Sequence, residues 1–396
     1  MMNSYGVIHN DAEVVSKIVA SQAHHKKIDG HAPGLQGKDL DTYVAAGVYS
    51  DHECATMEDA LAKLQRGQFI MIREGTAARN LEALAPLLTP QYAERCMFCT
   101  DDKHPSDLLE KGHIDYIARE AINKYGVDPI IAVKAACHHA SRYFLLNNRG
   151  AIAPGYLADF AVIDNFKDFN VEMVFKKGVL YWNNGELRDF EAPKIEEYLD
   201  KRAHDTFHVS TLTPDDFRDT RQRGVLGMVP GEIITTDNGY ADHVDLEKDI
   251  LKIAVVERHK GTHHIGLGYI QGYGLKSGAV ATSISHDSHN IIVVGTNSAD
   301  MAFAANYIVE HHGGIVVVEN GTVKGSVVLE IAGIMSDRPL TEVNDQLEAA
   351  KDAAFTLGVS RGIDPFMTLS FMALPVIPKL RITTRGVVDV DTQQYV

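Results

Sequence analysis

Val48-Tyr49-Ser50-Asp51-His52-Glu53-Cys54-Ala55-Thr56, an amphipathic run to Arg66, and then Phe69-Ile70-Met71-Ile72-Arg73 form the stretch on which the fold turns. Val48 to His52 reads as a short strand. Thr56 to Arg66 reads as a helix, with Thr56 at the cap and Asp59 three residues on, where side-chain oxygens satisfy backbone N–H groups of the first turn. Phe69 to Arg73 is apolar almost throughout, as a strand covered on both faces should be. Strand, helix and strand in so short a span is the unit from which parallel sheets are built.

The same alternation continues in both directions. Towards the amino terminus, Lys27-Ile28-Asp29-Gly30-His31 ends a strand and Lys38 to Ala46 reads as a helix. Beyond Arg73, a helix is expected around Ala77 to Leu88, a strand from Cys96 to Thr100, and helices from Ser106 to Tyr125 and Pro129 to Phe144. The residues able to do chemistry stand just past the strand ends: His31, His52, Arg73-Glu74 and Asp101-Asp102. A (β/α)8 barrel carries its active site there. A doubly wound sheet also binds ligands at strand carboxyl ends, so alternation alone leaves both open.

After Gly150 the pattern changes. Gly150-Ala151-Ile152-Ala153-Pro154-Gly155, Asp159 to Asp164, Val171 to Phe175 and Gly178 to Trp182 read as short strands with tight turns. Glu191 to Thr211 is charged and helical or linking. From Leu212 on, apolar strands such as Ile250 to Val256 and Ile291 to Gly295, with helices from Ser298 to His312 and Glu342 to Leu357, indicate an α/β or α+β domain of its own.

With 396 residues the chain can form two or three domains with a substantial core. A net charge of −15 argues against partners that present phosphate, both nucleic acid and an anionic membrane surface. No segment reaches the apolar length of a membrane span, and Met1-Met2-Asn3-Ser4-Tyr5 lacks the basic and apolar regions of an export signal. Cys54, Cys96, Cys99 and Cys137 form no disulfide framework, which suits a reducing cytoplasm. Cys96 and Cys99 make a C-x-x-C, but residues three apart on a strand face opposite ways, so a shared metal or a redox pair is not expected.

Three motifs concentrate the chemistry: Asp29-Gly30-His31-Ala32-Pro33, Ser50-Asp51-His52-Glu53 and Thr100-Asp101-Asp102-Lys103-His104-Pro105. A single histidine after a strand is most simply a turn residue. Two histidines and an aspartate pair on separate strand ends point instead to a metal site of a hydrolase, since imidazole and carboxylate suit zinc, manganese or iron. A carboxylate beside a metal-activated hydroxide can take its proton and pass it to a leaving group.

These motifs resemble those of the adenine deaminase family of the amidohydrolase superfamily. The resemblance rests on Ile28-Asp29-Gly30-His31-Ala32-Pro33-Gly34-Leu35-Gln36-Gly37-Lys38-Asp39-Leu40, Ser50-Asp51-His52-Glu53-Cys54 and Met71-Ile72-Arg73-Glu74-Gly75. It also rests on Thr100 to Pro105, Arg149 to Gly155 and Ser285-His286-Asp287-Ser288-His289-Asn290, and it spans nearly the whole chain.

The resemblance implies hydrolytic deamination of adenine to hypoxanthine and ammonia by a metal-activated hydroxide, in purine salvage or catabolism. It implies His31 and His52 as metal ligands from the fifth and sixth barrel strands. Asp101 is the implied aspartate of the eighth, with Asp102 the alternative at that position, binding metal and shuttling a proton together with His52 at the catalytic centre. Asp102, Glu53, Arg73, Glu74, Ser285 and His286 are expected to bind substrate or support the ligands. Manganese is the expected ion, with iron or zinc as alternatives, and a homo-oligomer the expected assembly. Residues 1–146 would be the second half of the (β/α)8 barrel, 147–190 a remnant of a small β domain, and 191–396 the family's carboxy-terminal domain.

The chain departs from the pattern in one large respect. It contains no His-x-His, which a two-metal amidohydrolase carries on its first strand, and the family's bridging glutamate would fall just before Met1. The two-metal site is thus expected to be incomplete in this chain, which could be inactive alone, a catalytically incomplete fragment, or one chain of a two-chain enzyme completed by a separate amino-terminal chain. Another cyclic amide or amidine hydrolase is a further alternative, against which the Ser285 to Asn290 motif weighs. Smaller departures are Tyr5 for proline and His138-His139 for Asn-Pro, the latter expected to alter only a helix start.

Some signals read more plainly. Gly266, Gly268, Gly272, Gly274 and Gly278 match no phosphate-binding spacing and are expected in turns. His286 and His289 suit a loop-structuring role as well as a site role. His24-His25 and His311-His312 read as polar helix-surface residues.

Overall fold

β1 (Asp29–Gly30), β2 (Ser50–Asp51), β3 (Phe69–Arg73) and β4 (Cys96–Cys99) lie side by side in sequence order as a parallel sheet in the computed structural model. The structure describes residues 1, 3–76, 78–219, 221–229 and 232–396. Asp29 pairs with Ser50, Asp51 with Ile70, and Arg73 with Cys99, so the residues after each strand emerge at one end of the sheet. β1 and β2 are shorter than their apolar runs; only the residues leading to the histidines pair.

Helices Gly37–Ala45 and Met57–Gln65 fill the first two crossovers, and the Thr56 hydroxyl accepts the Asp59 amide at 3.2 Å. Three helices differ from expectation. The one around Ala77 to Leu88 shortens to Leu81–Leu84 and a 3-10 turn at Ala85–Leu87, because Pro86 supplies no N–H to continue an α-helix; Ala77 itself lies outside the described residues. Ser106 to Tyr125 divides into Pro105–Glu110 and Ile114–Asn123 at Gly112, whose φ of +99° ends the first helix. Pro129 to Phe144 contains a π segment, Lys134–His138, between two α-helical turns. His138-His139 therefore sits inside a helix and not at its start. His139 is buried, and its Nδ1 lies 2.9 Å from the Cys96 carbonyl oxygen, tying this helix to β4.

Alternate residues of β3 and β4 face two clusters. Ile70, Ile72, Cys96 and Phe98 pack with Ala60, Leu81, Ile117 and Ala121, whereas Met71 and Met97 pack with Tyr143 and the partly buried Cys99. Cys96 and Cys99 thus face opposite sides of the sheet, as the strand period requires. Gly150 to Gly155 forms no strand. β5 (Phe160–Ile163), β6 (Val171–Lys176), β7 (Val179–Asn183) and β8 (Glu186–Leu187) make an antiparallel sheet.

The chain divides into two compact units, Met1–Ala192 and Pro193–Val396. The second holds the helix Glu197–His204 and a mixed sheet of β9 (Arg223–Met228), β10 (Thr235–Ala241), β11 (Ile250–Val256), β12 (Ile265–Gln271), β13 (Ala279–Thr282), β14 (Ile291–Gly295), β15 (Gly314–Glu319) and β16 (Thr322–Val328). The sheet's order is β10-β9-β12-β11-β14-β13-β15-β16. A smaller antiparallel sheet comprises β17 (Leu380–Thr383), β18 (Gly386–Asp389) and β19 (Gln394–Tyr395). Leu251, Ile253 and Val255 cluster with Leu347, Ala350 and Ala354 of helix Leu340–Thr356, and Ala254 and Val256 with Met301, Ala304 and Ile308 of helix Ser298–Glu310. Covering both faces explains why β11 is a continuous apolar run.

The glycine-rich segment has two explanations. Gly272, Gly274 and Gly278 have positive φ and make turns. Gly266 and Gly268 instead lie within β12, where a Cβ would fall 1.8 Å from the Thr383 carbonyl oxygen or 2.4 Å from Val387. Close approach of β17 and β18 excludes a side chain at these two positions. Both units are mixed α/β, and among the described residues no helix is long and apolar enough to cross a membrane.

Candidate metal and catalytic site

Asp29, at the end of β1, organises its neighbours. Its Oδ1 accepts from the Ser50 hydroxyl at 2.7 Å and from the Gly30 amide at 2.9 Å, and its Oδ2 lies 2.8 Å from His52 Nδ1. Burial opposes ionisation of Asp29, but the hydrogen bonds and charge of its neighbours, His52 foremost, outweigh it and lower its pKa. An ionised carboxylate can only accept, so His52 donates from Nδ1 and turns Nε2 towards the carboxylates of Glu53 and Asp101, 3.6 and 3.8 Å away. Burial also opposes charging His52, but Asp29 and then Glu53 prevail and raise its pKa.

Asp51 is fully buried and joins the ends of β1 and β2. Its Oδ2 accepts the Ala32 amide at 2.9 Å and its Oδ1 the Glu53 amide at 2.7 Å. Lys63, equally buried, pairs with Asp51 at 3.4 Å and donates to the Ala32 carbonyl at 2.8 Å. The His31 amide donates to the Tyr43 hydroxyl at 3.0 Å, and His31 Nε2 lies 3.5 Å from Glu53 Oε1. Burial lowers the His31 pKa despite the nearby Glu53, favouring a neutral ring able to offer a lone pair.

Arg73, at the end of β3, donates from Nη1 to Glu53 and, at 2.8 Å, to Asp101 Oδ2. Asn80 supports this strand end: its Oδ1 accepts the Arg73 amide at 2.6 Å while its Nδ2 donates to the Cys54 carbonyl at 3.0 Å. Gly75 fits beneath the next strand end, since a Cβ there would lie 1.9 Å from the Asp101 carbonyl oxygen.

His52, Glu53 and Asp101 each offer a ligand atom, all within 4.8 Å of one another. Of the residues singled out from sequence, His31, His52, Glu53, Arg73 and Asp101 come together. Glu74 faces Arg79 at 3.8 Å instead, with its pKa raised by burial. Asp102 has a left-handed backbone, φ +45°, just past Asp101. Ser285 and His286 belong to the second unit, where the Ser285 hydroxyl is buried without a hydrogen-bond partner among the described residues and the His286 ring stacks on Phe371 at 4.7 Å. Sequence reasoning missed the supporting roles of Asp29, Asp51, Lys63 and Asn80. The available signal was the aspartate preceding each histidine, in Asp29-Gly30-His31 and Asp51-His52.

Residues 1–181 match the amidohydrolase family and residues 232–394 the adenine deaminase C-terminal domain. An adenine deaminase of Desulfatibacillum aliphaticivorans is 45% identical over all of this chain and 70% of its own length. One from Nitratidesulfovibrio vulgaris strain DP4 is 43% identical over the same shares, and one from Dehalococcoides mccartyi strain 195 is 43% identical over 99% of this chain and 69% of its own. An amidohydrolase domain implies a divalent metal, and the histidine and carboxylate donors at the sheet's carboxyl end are of the type that holds one. By identity across its whole length and by both matched domains, the chain belongs to the adenine deaminase family.

Proposed function

We propose that this chain catalyses adenine + H2O → hypoxanthine + NH3 at the end of the parallel sheet that carries His31, His52, Glu53 and Asp101. The observation that carries this reading is the convergence of His52, Glu53 and Asp101 in a chain 45% identical throughout to a protein named adenine deaminase. Residues 1–146 then act as half of a (β/α)8 barrel, 147–190 as part of a small β domain and 191–396 as the carboxy-terminal domain. The working compartment is the cytoplasm and the assembly a homo-oligomer.

The donor set fits a divalent ion: one imidazole and two carboxylates are within mutual reach, and His31 adjoins them as a second imidazole. His31, His52 and Asp101 would hold the ion, with Glu53 close enough to join them. A bound divalent ion, manganese in this reading with iron or zinc as alternatives, supplies a hydroxide nucleophile near neutral pH. Asp101 would take one proton of the water and deliver it to the amino group, so that the C6–N bond breaks and ammonia departs as the C6–O bond forms, while the second proton of the water ends on N1 of hypoxanthine. Asp29 keeps His52 in the tautomer that directs Nε2 inwards. Asp102 and Glu74 are proposed to border the site.

The test is an assay of purified chain with adenine and added manganese, iron or zinc, following hypoxanthine and ammonia. Equal, metal-dependent release of both is expected, with one ion held by His31, His52 and Asp101 sufficing although the chain lacks the His-x-His of a two-metal site. No product with any metal would overturn the reading in favour of a catalytically incomplete fragment.

A further inference from the structure

The guanidinium of Arg73 occupies the heart of this cluster. Its side chain is buried, and one nitrogen, Nη1, donates to carboxylates from two different strand ends, Glu53 and Asp101. The backbone beneath it is fixed by Asn80, yet Nε is buried without a hydrogen-bond partner among the described residues. A guanidinium placed for hydrogen bonding alone would satisfy its fork, because a buried unpaired donor is costly. Here the two negative charges hold it. They belong to the same carboxylates that cluster with His52 as metal donors.

From this geometry we infer that Arg73 is a positioning residue acting as a resident counter-charge. It holds Glu53 and Asp101 together in the metal-free site and competes with a divalent ion for them, so that it sets the site's affinity for metal. The inference rests on the metal reading above. A cation bound to a carboxylate sits about 2 Å from the oxygen, so ion and guanidinium cannot both keep close contact with the same oxygens without strong repulsion. Loading the site therefore draws Arg73 away from at least one carboxylate. A merely structural arginine would behave oppositely: its removal would loosen the donors and weaken binding.

The experiment titrates the metal-stripped full chain with Mn2+ by calorimetry and records thermal melting, for the unsubstituted protein, Arg73→Gln and Arg73→Lys. Arg73→Gln should bind Mn2+ about tenfold more tightly, as expected for removing one nearby positive charge in a partly screened site. Its metal-free form should melt lower, because two carboxylates then face each other uncompensated. Arg73→Lys keeps the charge on a shorter, more strongly hydrated head that approaches the two carboxylates less closely, so about a threefold gain is expected. It serves as the test should Arg73→Gln fail to fold. Affinity unchanged or weaker in the folded variants overturns the inference while leaving the metal site standing. No Mn2+ binding by the unsubstituted protein and by both variants overturns the metal reading, and this inference with it.

Discussion

His52 donates from Nδ1 to Oδ2 of Asp29 across 2.8 Å, linking the ends of two adjacent parallel strands. The contact orients the imidazole, chooses its tautomer and raises its basicity. Removing the partner should therefore act through the metal site. Asp29→Ala is expected to lower metal affinity about 10- to 100-fold, the usual consequence of losing a group that orients a histidine ligand. Metal content after dialysis against buffers of defined free Mn2+ measures this; undiminished content would show that His52 needs no such support.

Asp101 and Asp102 separate by direction. Asp101 faces His52 and Arg73, and the backbone turns left-handed at Asp102. Asp101→Asn preserves size and an oxygen ligand but cannot accept a proton. Its kcat should fall about a hundredfold to ten-thousandfold with metal content little changed. His52→Ala should lose metal as well, and Asp102→Asn should be milder. Kinetics and bound metal for the three variants test the assignment, which fails if Asp102→Asn is dead and Asp101→Asn nearly normal.

Gly75 is a steric test of the same strand end. Gly75→Ala would place a methyl group 1.9 Å from the Asp101 carbonyl oxygen, so the segment bearing Asp101 must shift. Overpacking of this kind costs about 1–3 kcal/mol, and displacement of Asp101 should reduce kcat as well. Gly362→Ala, where the nearest atom to the added carbon is 3.7 Å away, should change neither. Melting curves and turnover of the pair provide the comparison; a Gly75→Ala protein indistinguishable from Gly362→Ala would contradict the packing.

His139 sets a pH dependence away from the site. Burial lowers its pKa, partly countered by its bond to the Cys96 carbonyl, so the folded ring remains neutral at pH values where the unfolded ring is protonated. A lowered histidine pKa contributes no penalty above the unfolded value of about 6.5 and progressively destabilises the fold as pH falls below it. Urea denaturation between about pH 7.5 and pH 5 should show this loss, and His139→Asn, whose amide nitrogen takes the place of Nδ1 towards Cys96, should show less of it. Parallel pH profiles for the two proteins would assign the acid sensitivity elsewhere.

Much of this could be read along the chain because it is local. The strand–helix alternation, the Thr56 cap, the opposite facing of Cys96 and Cys99 and the apolar run of β11 all follow from periodicities of two and 3.6 residues, which neighbouring residues express without help from the rest of the fold. The motifs at Asp29, Ser50 and Thr100 likewise placed His31, His52 and Asp101 at strand ends. Tertiary structure alone decided which side chains meet. Glu53 joins the donor cluster, Glu74 turns to Arg79, and Arg73 spans two carboxylates because parallel register brings separate strand ends together. Asp29, Asp51 and Asn80 act as supports because they bond to groups on other strand ends or loops. Gly266 and Gly268 are small because a distant hairpin crosses them, and mid-helix His139 meets the Cys96 carbonyl of β4. Most of these partners are distant in sequence, so no pattern along the chain encodes them; they arise from register and close packing, which exist only once the chain has folded.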